Sequence, residues 1–110
     1  MAYSYVFLAA VENLSALHMT ILKFYWTGLN ELIQANKWDA MRPYGLQNYS
    51  VAIGELHPDL KRQDDVLLYI MTDLKNRGLS TVGRPADSFP QSPGITSMGV
   101  QFLQFVLESP

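Results

Sequence analysis

From Asp64 to Glu108 the chain reads DDVLLYIMTDLKNRGLSTVGRPADSFPQSPGITSMGVQFLQFVLE, and the glycine at position 78 limits how this run can fold. Val66, Leu67, Ile70, Met71 and Leu74 recur at helical spacing and predict a buried face. Asp65, Leu68, Tyr69, Thr72, Lys75 and Asn76 form the outer face. Asp64 or Asp65 opens this helix, where a carboxylate suits the positive end of the helix dipole. Lys75 and Arg77 suit the other end, and Gly78 stands where a left-handed residue terminates a helix over 64–77. Leu79 to Val82 is then β-prone. The segment from Gly83 to Gly94 holds three prolines and two glycines and predicts an irregular excursion. Strand character resumes over 94–96. Thr96 or Ser97 caps a closing helix over 97–108, with Met98, Phe102, Phe105 and Val106 inward and Gln101, Gln104 and Glu108 in water.

The N-terminal half reads as helices that cover this unit. Ala2 to Val11 is apolar and aromatic, and Ala9 and Ala10 favour a helix over 3–13. Ser15 is an N-cap for a helix over 15–35. Leu17, Ile21, Phe24, Tyr25, Gly28 and Leu32 share one side of it, and Thr20, Lys23, Thr27, Asn30 and Gln34 form a narrow polar stripe. Met19, Leu22, Trp26, Leu29 and Ile33 widen the apolar arc beyond the roughly 100° that a surface helix needs. This helix is therefore central to the domain or shared with another subunit. Residues 36–48 read as a loop. Ser50 caps a short helix over 50–56 that Pro58 ends, and Asp59 to Gln63 is a polar connector. The expected class is α+β and mostly helical, with four to five helices and a two-stranded β-wing at 79–82 and 94–96.

The chain has 110 residues, which predicts a single domain over 1–110, complete or cut from a longer chain. Apolar residues make up 48% and charged residues only 16%, so part of the apolar surface is expected to meet a partner. The net charge of -2 is not that of a strongly nucleic-acid-seeking surface. Cysteine is absent, which excludes disulfides and thiolate sites. The N-terminus lacks the basic segment and cleavage pattern of a signal peptide. Lys23, Asn30, Glu31 and Gln34 disqualify the long apolar helix as a membrane span. A cytoplasmic location is the expectation.

The residues Leu74, Arg77, Gly78 and Leu79, followed by Ile95, Thr96, Gly99, Phe102 and Leu103, resemble the second half of a winged helix-turn-helix domain of bacterial proteins. The stretch ENLSALHMTILKFYW is similar to the first helix of such domains. The resemblance covers about three quarters of the chain. It implies a winged-helix-like fold that serves either as a DNA reader or as a protein-binding module. For a DNA reader it implies that the helix over 64–77 enters the major groove. The residues placed to meet DNA are Lys61, Arg62, Thr72, Lys75, Asn76 and Arg84. Against that role, Asp64 and Asp65 stand at the end that would approach the bases, and Asp87 offsets Arg84.

Catalytic and metal chemistry finds little support. His18 and His57 are the only histidines; a metal site would need them close together with a carboxylate such as Glu55, and both read as structural residues. The serines lie in cap and turn contexts, without a nucleophile elbow. Asp64 and Asp65, adjacent on a helix, diverge by about 100° and cannot act on one substrate as an acid/base pair. No enzyme activity, cofactor or metal is expected. Phe24, Tyr25 and Trp26 span too much of a helix for one small core, so Tyr25 or Trp26 meets the N-terminal segment or another chain. A ligand pocket under Trp26 and Trp38 lacks a convergent charged group. The leading expectation is a non-enzymatic regulatory or interaction module that forms a homodimer, or meets another protein, through Tyr3, Phe7, Met19, Leu22, Tyr25, Trp26, Leu29 and Ile33. The alternative is a DNA-binding regulator using helix 64–77 and the wing at 83–94.

Overall fold

Ser15 starts the longest helix, α1 (Ala16–Gln34), by the reciprocal arrangement of a capping box. Its hydroxyl accepts the His18 N–H, and its own N–H donates to the His18 ring where a glutamate is more usual. The helix ends on Asn36, whose φ of 59° is left-handed. The N–H groups of Asn36 and Lys37 return to the carbonyls of Ile33 and Leu32, which satisfies the last turn. The computed structural model describes residues 14–38, 47–90 and 94–108. The helix expected over 3–13 lies outside the described residues, as do Tyr3 and Phe7.

After α1 the described elements are β1 (Gln47–Asn48), α2 (Tyr49–Leu56), a 3-10 turn (Pro58–Leu60), α3 (Asp64–Asn76), β2 (Ser88–Phe89) and α4 (Ser97–Glu108). The fold is thus mostly helical with a small antiparallel sheet. Helix α1 touches each of the other three helices and occupies the centre. Its buried side carries His18, Ile21, Leu22, Phe24, Tyr25, Gly28 and Leu32. Opposite it, Leu67, Ile70, Met71 and Leu74 of α3 and Phe102 and Leu103 of α4 complete the core.

Helix α3 ends as its sequence requires. Gly78 has a φ of 78°. The N–H groups of Gly78 and Leu79 bond the carbonyls of Lys75 and Leu74, and the following Leu79 is buried. Thr96 caps α4 by accepting the Gly99 N–H at 2.9 Å, and its hydroxyl donates to the Gly78 carbonyl at 2.6 Å. One threonine therefore ties the end of α3 to the start of α4.

The sheet differs from the expected wing. Between 79–82 and 94–96 there is a single bridge, Ser80 with Ile95, flanked by bonds from Thr81 N–H to Gly94 O and from Thr96 N–H to Leu79 O. Val82 turns into the core, and its carbonyl accepts the Tyr25 and Ser80 hydroxyls. The Gly/Pro-rich excursion then packs beneath α2. Ser88 and Phe89 pair antiparallel with Asn48 and Gln47, and the Tyr49 and Ser50 N–H groups donate to Asp87 O and Pro85 O. Residues read as irregular at both places thereby pair into one small sheet, which gives their backbone groups partners.

Several smaller expectations also change. Asn48, not Ser50, caps α2, by accepting the Val51 N–H at 2.9 Å. The Ser50 hydroxyl instead donates to Asp64 Oδ1. The connector hides an apolar residue, Leu60, in its 3-10 turn. Val66 is 40% exposed, at the edge of the α3 stripe. Leu103, not Val106, joins Phe102 in the interior, while Phe105 and Val106 are half-buried.

Candidate functional site

The outer side of α3 is the face that the resemblance to a DNA reader singled out. Asp65, Tyr69, Thr72 and Asn76 follow one another along it, as the 3.6-residue period requires. Leu68 and Lys75 lie on one flank and Val66 and Asp73 on the other. All but Asp73 are exposed, and Tyr69 and Leu68 are 71% and 46% accessible. A shallow depression of about 410 Å³ follows this surface, lined by Asp65, Leu68, Tyr69, Thr72, Asp73 and Asn76. Its described lining carries two carboxylates and no cation.

The six candidate DNA-binding residues fall into two groups. Thr72, Lys75, Asn76 and Arg84 gather at the C-terminal end of α3. There the Thr72 hydroxyl donates to Gly83 O at 3.3 Å, and the aliphatic stem of Lys75 lies over Gly83. The Arg84 backbone N–H donates to Asp87 Oδ2, so the carboxylate folds back onto the start of the loop. Lys61 and Arg62 lie before the other end of α3, roughly 16 Å away along the helix. There they line a second shallow depression with Ser50, Val51, Glu55 and Asp64, so both signs of charge are mixed. The two basic groups do not merge into one stripe, because the acidic start of α3 lies between them.

Of the candidate dimer residues, Leu22 and Tyr25 are buried within the chain. Met19 and Leu29 are half-buried. Trp26 and Ile33 are exposed, at 37% and 50%. Met19, Trp26 and Ile33 are each seven residues apart and so follow one flank of α1. Trp26 therefore faces outward, while Phe24 and Tyr25 both enter the core. Trp38 packs edge-on against Phe89 with ring centroids 5.8 Å apart.

His18 has a larger role than its sequence context suggested. It is buried, and its Nε2 lies 2.9 Å from Asp73 Oδ2, on which Arg77 Nε also converges at 3.2 Å. Because the Ser15 N–H donates to Nδ1, the ring proton sits on Nε2 and is donated to Asp73. The link staples the start of α1 to the last turns of α3. Serine, histidine and aspartate stand in line here, yet the ring is turned the opposite way from a hydrolytic triad, with serine on Nδ1. The Ser15 hydroxyl is already engaged as the helix cap. The only hint in the sequence was histidine three residues after a capping serine; its partner lies 55 residues away. No group of three or more metal-ligating side chains occurs among the described residues.

Among the described residues, Tyr25 is the one titratable side chain with a clear displacement. Burial pushes its phenol far above the ordinary tyrosine value, and the nearby Tyr49 and Asp87 raise it further. Its hydroxyl donates to Val82 O at 3.3 Å, so the neutral form is the one the fold holds. An acid whose folded pKa is raised adds full stability below its unfolded pKa, about 10, and loses it as pH rises beyond that. Chemical denaturation between pH 8 and 11 should therefore show falling stability above about pH 10. Tyr25→Phe should flatten that fall.

No described helix is long and apolar enough to cross a membrane. Compared with known proteins, the chain matches no protein-family model, no curated protein and no solved structure.

Proposed function

We propose that this chain is a non-enzymatic interaction module of winged-helix type, built to meet protein rather than to read DNA. The observation that carries this reading is the outer face of α3. A groove-reading helix presents cations and hydrogen-bonding groups to phosphates and base edges. Here that face opens on Asp64 and Asp65, continues through Leu68 and Tyr69, and has Lys75 as its only cation. The separation of Lys61 and Arg62 from Lys75 and Arg84 supports the same conclusion, since duplex affinity depends on several phosphate contacts acting together.

The module self-associates through the outer flank of α1, where Trp26 and Ile33 place two large apolar side chains in water. Light scattering across a concentration series should show a species heavier than the monomer, and Trp26→Asp should lower its mass, with the circular dichroism spectrum retained. A monomer at every concentration is incompatible with this reading. The DNA-binding alternative predicts a mobility shift of duplex DNA at about 50 mM salt that Lys75→Glu weakens. We expect no shift.

A further inference from the structure

We infer that α3 forms a second self-contact, an antiparallel pairing with α3 of another copy about a two-fold axis that runs between the two helices, level with the stretch from Tyr69 to Thr72. The contact is separate from the α1 flank and extends the proposed self-association to a face that the first contact leaves open.

The charge order of the helix supports this occupant. Its acidic end carries Asp64 and Asp65, and its basic end carries Lys75, followed by Arg77. In an antiparallel pair the acidic end of each copy lies opposite the basic end of the other, so every favourable contact occurs twice. A parallel pair would set like charges together. The helix dipoles follow the same order, because the positive end of one helix meets the negative end of the other. Near the axis Leu68 and Tyr69 supply exposed apolar surface. Leu68 and Tyr69 of both copies fall within reach of one another there, and the depression along Tyr69 and Thr72 leaves room for the opposing side chains. Arg77 already holds Asp73, so the free charge at the basic end is that of Lys75.

A single 13-residue helix per subunit makes a small interface, of the size found in weak and transient pairs. Its affinity is therefore expected to depend strongly on its charges and on salt. A foreign partner with a basic, apolar helix would fit the acidic half of the face, yet it would leave Lys75 opposed. A second copy matches both ends.

The test uses the full chain carrying Trp26→Asp, which removes the α1 contact, so failure of the α1 reading does not obscure the result. Sedimentation velocity over a concentration series at about 50 mM salt should still show a monomer–dimer equilibrium in this background. Asp65→Lys alone and Lys75→Asp alone should each weaken it by about tenfold, because two attractive contacts become repulsive. An equimolar mixture of the two single variants should restore association, since each Lys–Asp contact is regained across a heterodimer. The double variant Asp65→Lys/Lys75→Asp should restore it as well. Both positions are exposed, and unchanged melting curves will confirm folding. A monomer in the Trp26→Asp background, or single variants that associate as well as their parent, would overturn the inference. So would a mixture that stays as weak as its components.

Discussion

Phe89→Ala should cost about 3–5 kcal/mol of folding stability, the range found when a large aromatic side chain is removed from a core. The ring is 4% exposed and sits between three others, with centroids 5.4 Å from Phe24, 5.2 Å from Tyr49 and 5.8 Å from Trp38. Each aromatic pair adds stabilisation beyond the area it buries. Phe89 also belongs to β2, so its loss releases the excursion over 83–90 from β1 and from the start of α2. The cavity would open in the centre of the molecule, where α1 and α2 meet, and such a site collapses poorly. Urea unfolding of the two proteins will measure the difference. A change below about 1 kcal/mol would show that the excursion is a loose surface loop after all.

Gly99→Ala is expected to be nearly as damaging, although it adds only one methyl group to a helix. Alanine normally favours a helix over glycine by about 1 kcal/mol. Here the added carbon would press on the Leu79 carbonyl oxygen and come within 2.6 Å of Ile95 Cγ1. The carbonyl is backbone, and it is already bonded to the Thr96 N–H at 3.1 Å. Neither partner can retreat without opening the bridge between Ser80 and Ile95. Overpacking of this kind costs about 1–3 kcal/mol, and the clash with backbone puts Gly99→Ala at the upper end. A thermal melt provides the comparison. A control in the same helix, Gln104→Ala, is exposed and should leave the midpoint almost unchanged.

Both variants act on places that were unequally legible in the sequence. Gly99 belongs to a local pattern, with Ile95, Thr96 and Phe102, and the start of α4 could be placed from it. Phe89 sits between two prolines' worth of turn signals, and nothing nearby marks it as core. Its burial comes from Phe24, Trp38 and Tyr49, which are 40 to 65 residues away in the chain.

The candidate site divides in the same way. The outer face of α3 was readable because helical period alone decides which residues share a side. That is why Asp65, Leu68, Tyr69, Thr72, Lys75 and Asn76 were correctly placed outward. Val66 was not, since an edge position is buried or exposed according to what packs beside it. On α1 the apolar arc is broad, and helical period alone does not show which edge the neighbours cover. The structure covers Leu22 and Tyr25 and leaves Trp26 and Ile33 in water.

Elements whose stability is local were thus determined by the sequence itself: the Ser15 cap, the Gly78 stop, a cap at Thr96 or Ser97 and the periods of α1, α3 and α4. Each depends on residues within about four positions, where hydrogen-bond and rotamer preferences act directly. Tertiary structure alone decided the bridge of Ser80 with Ile95, the pairing of Gln47–Asn48 with Ser88–Phe89, and the His18–Asp73 link. Those features arise when buried backbone and side-chain polar groups compete for partners that are distant in the chain. The competition is settled by which groups folding brings together.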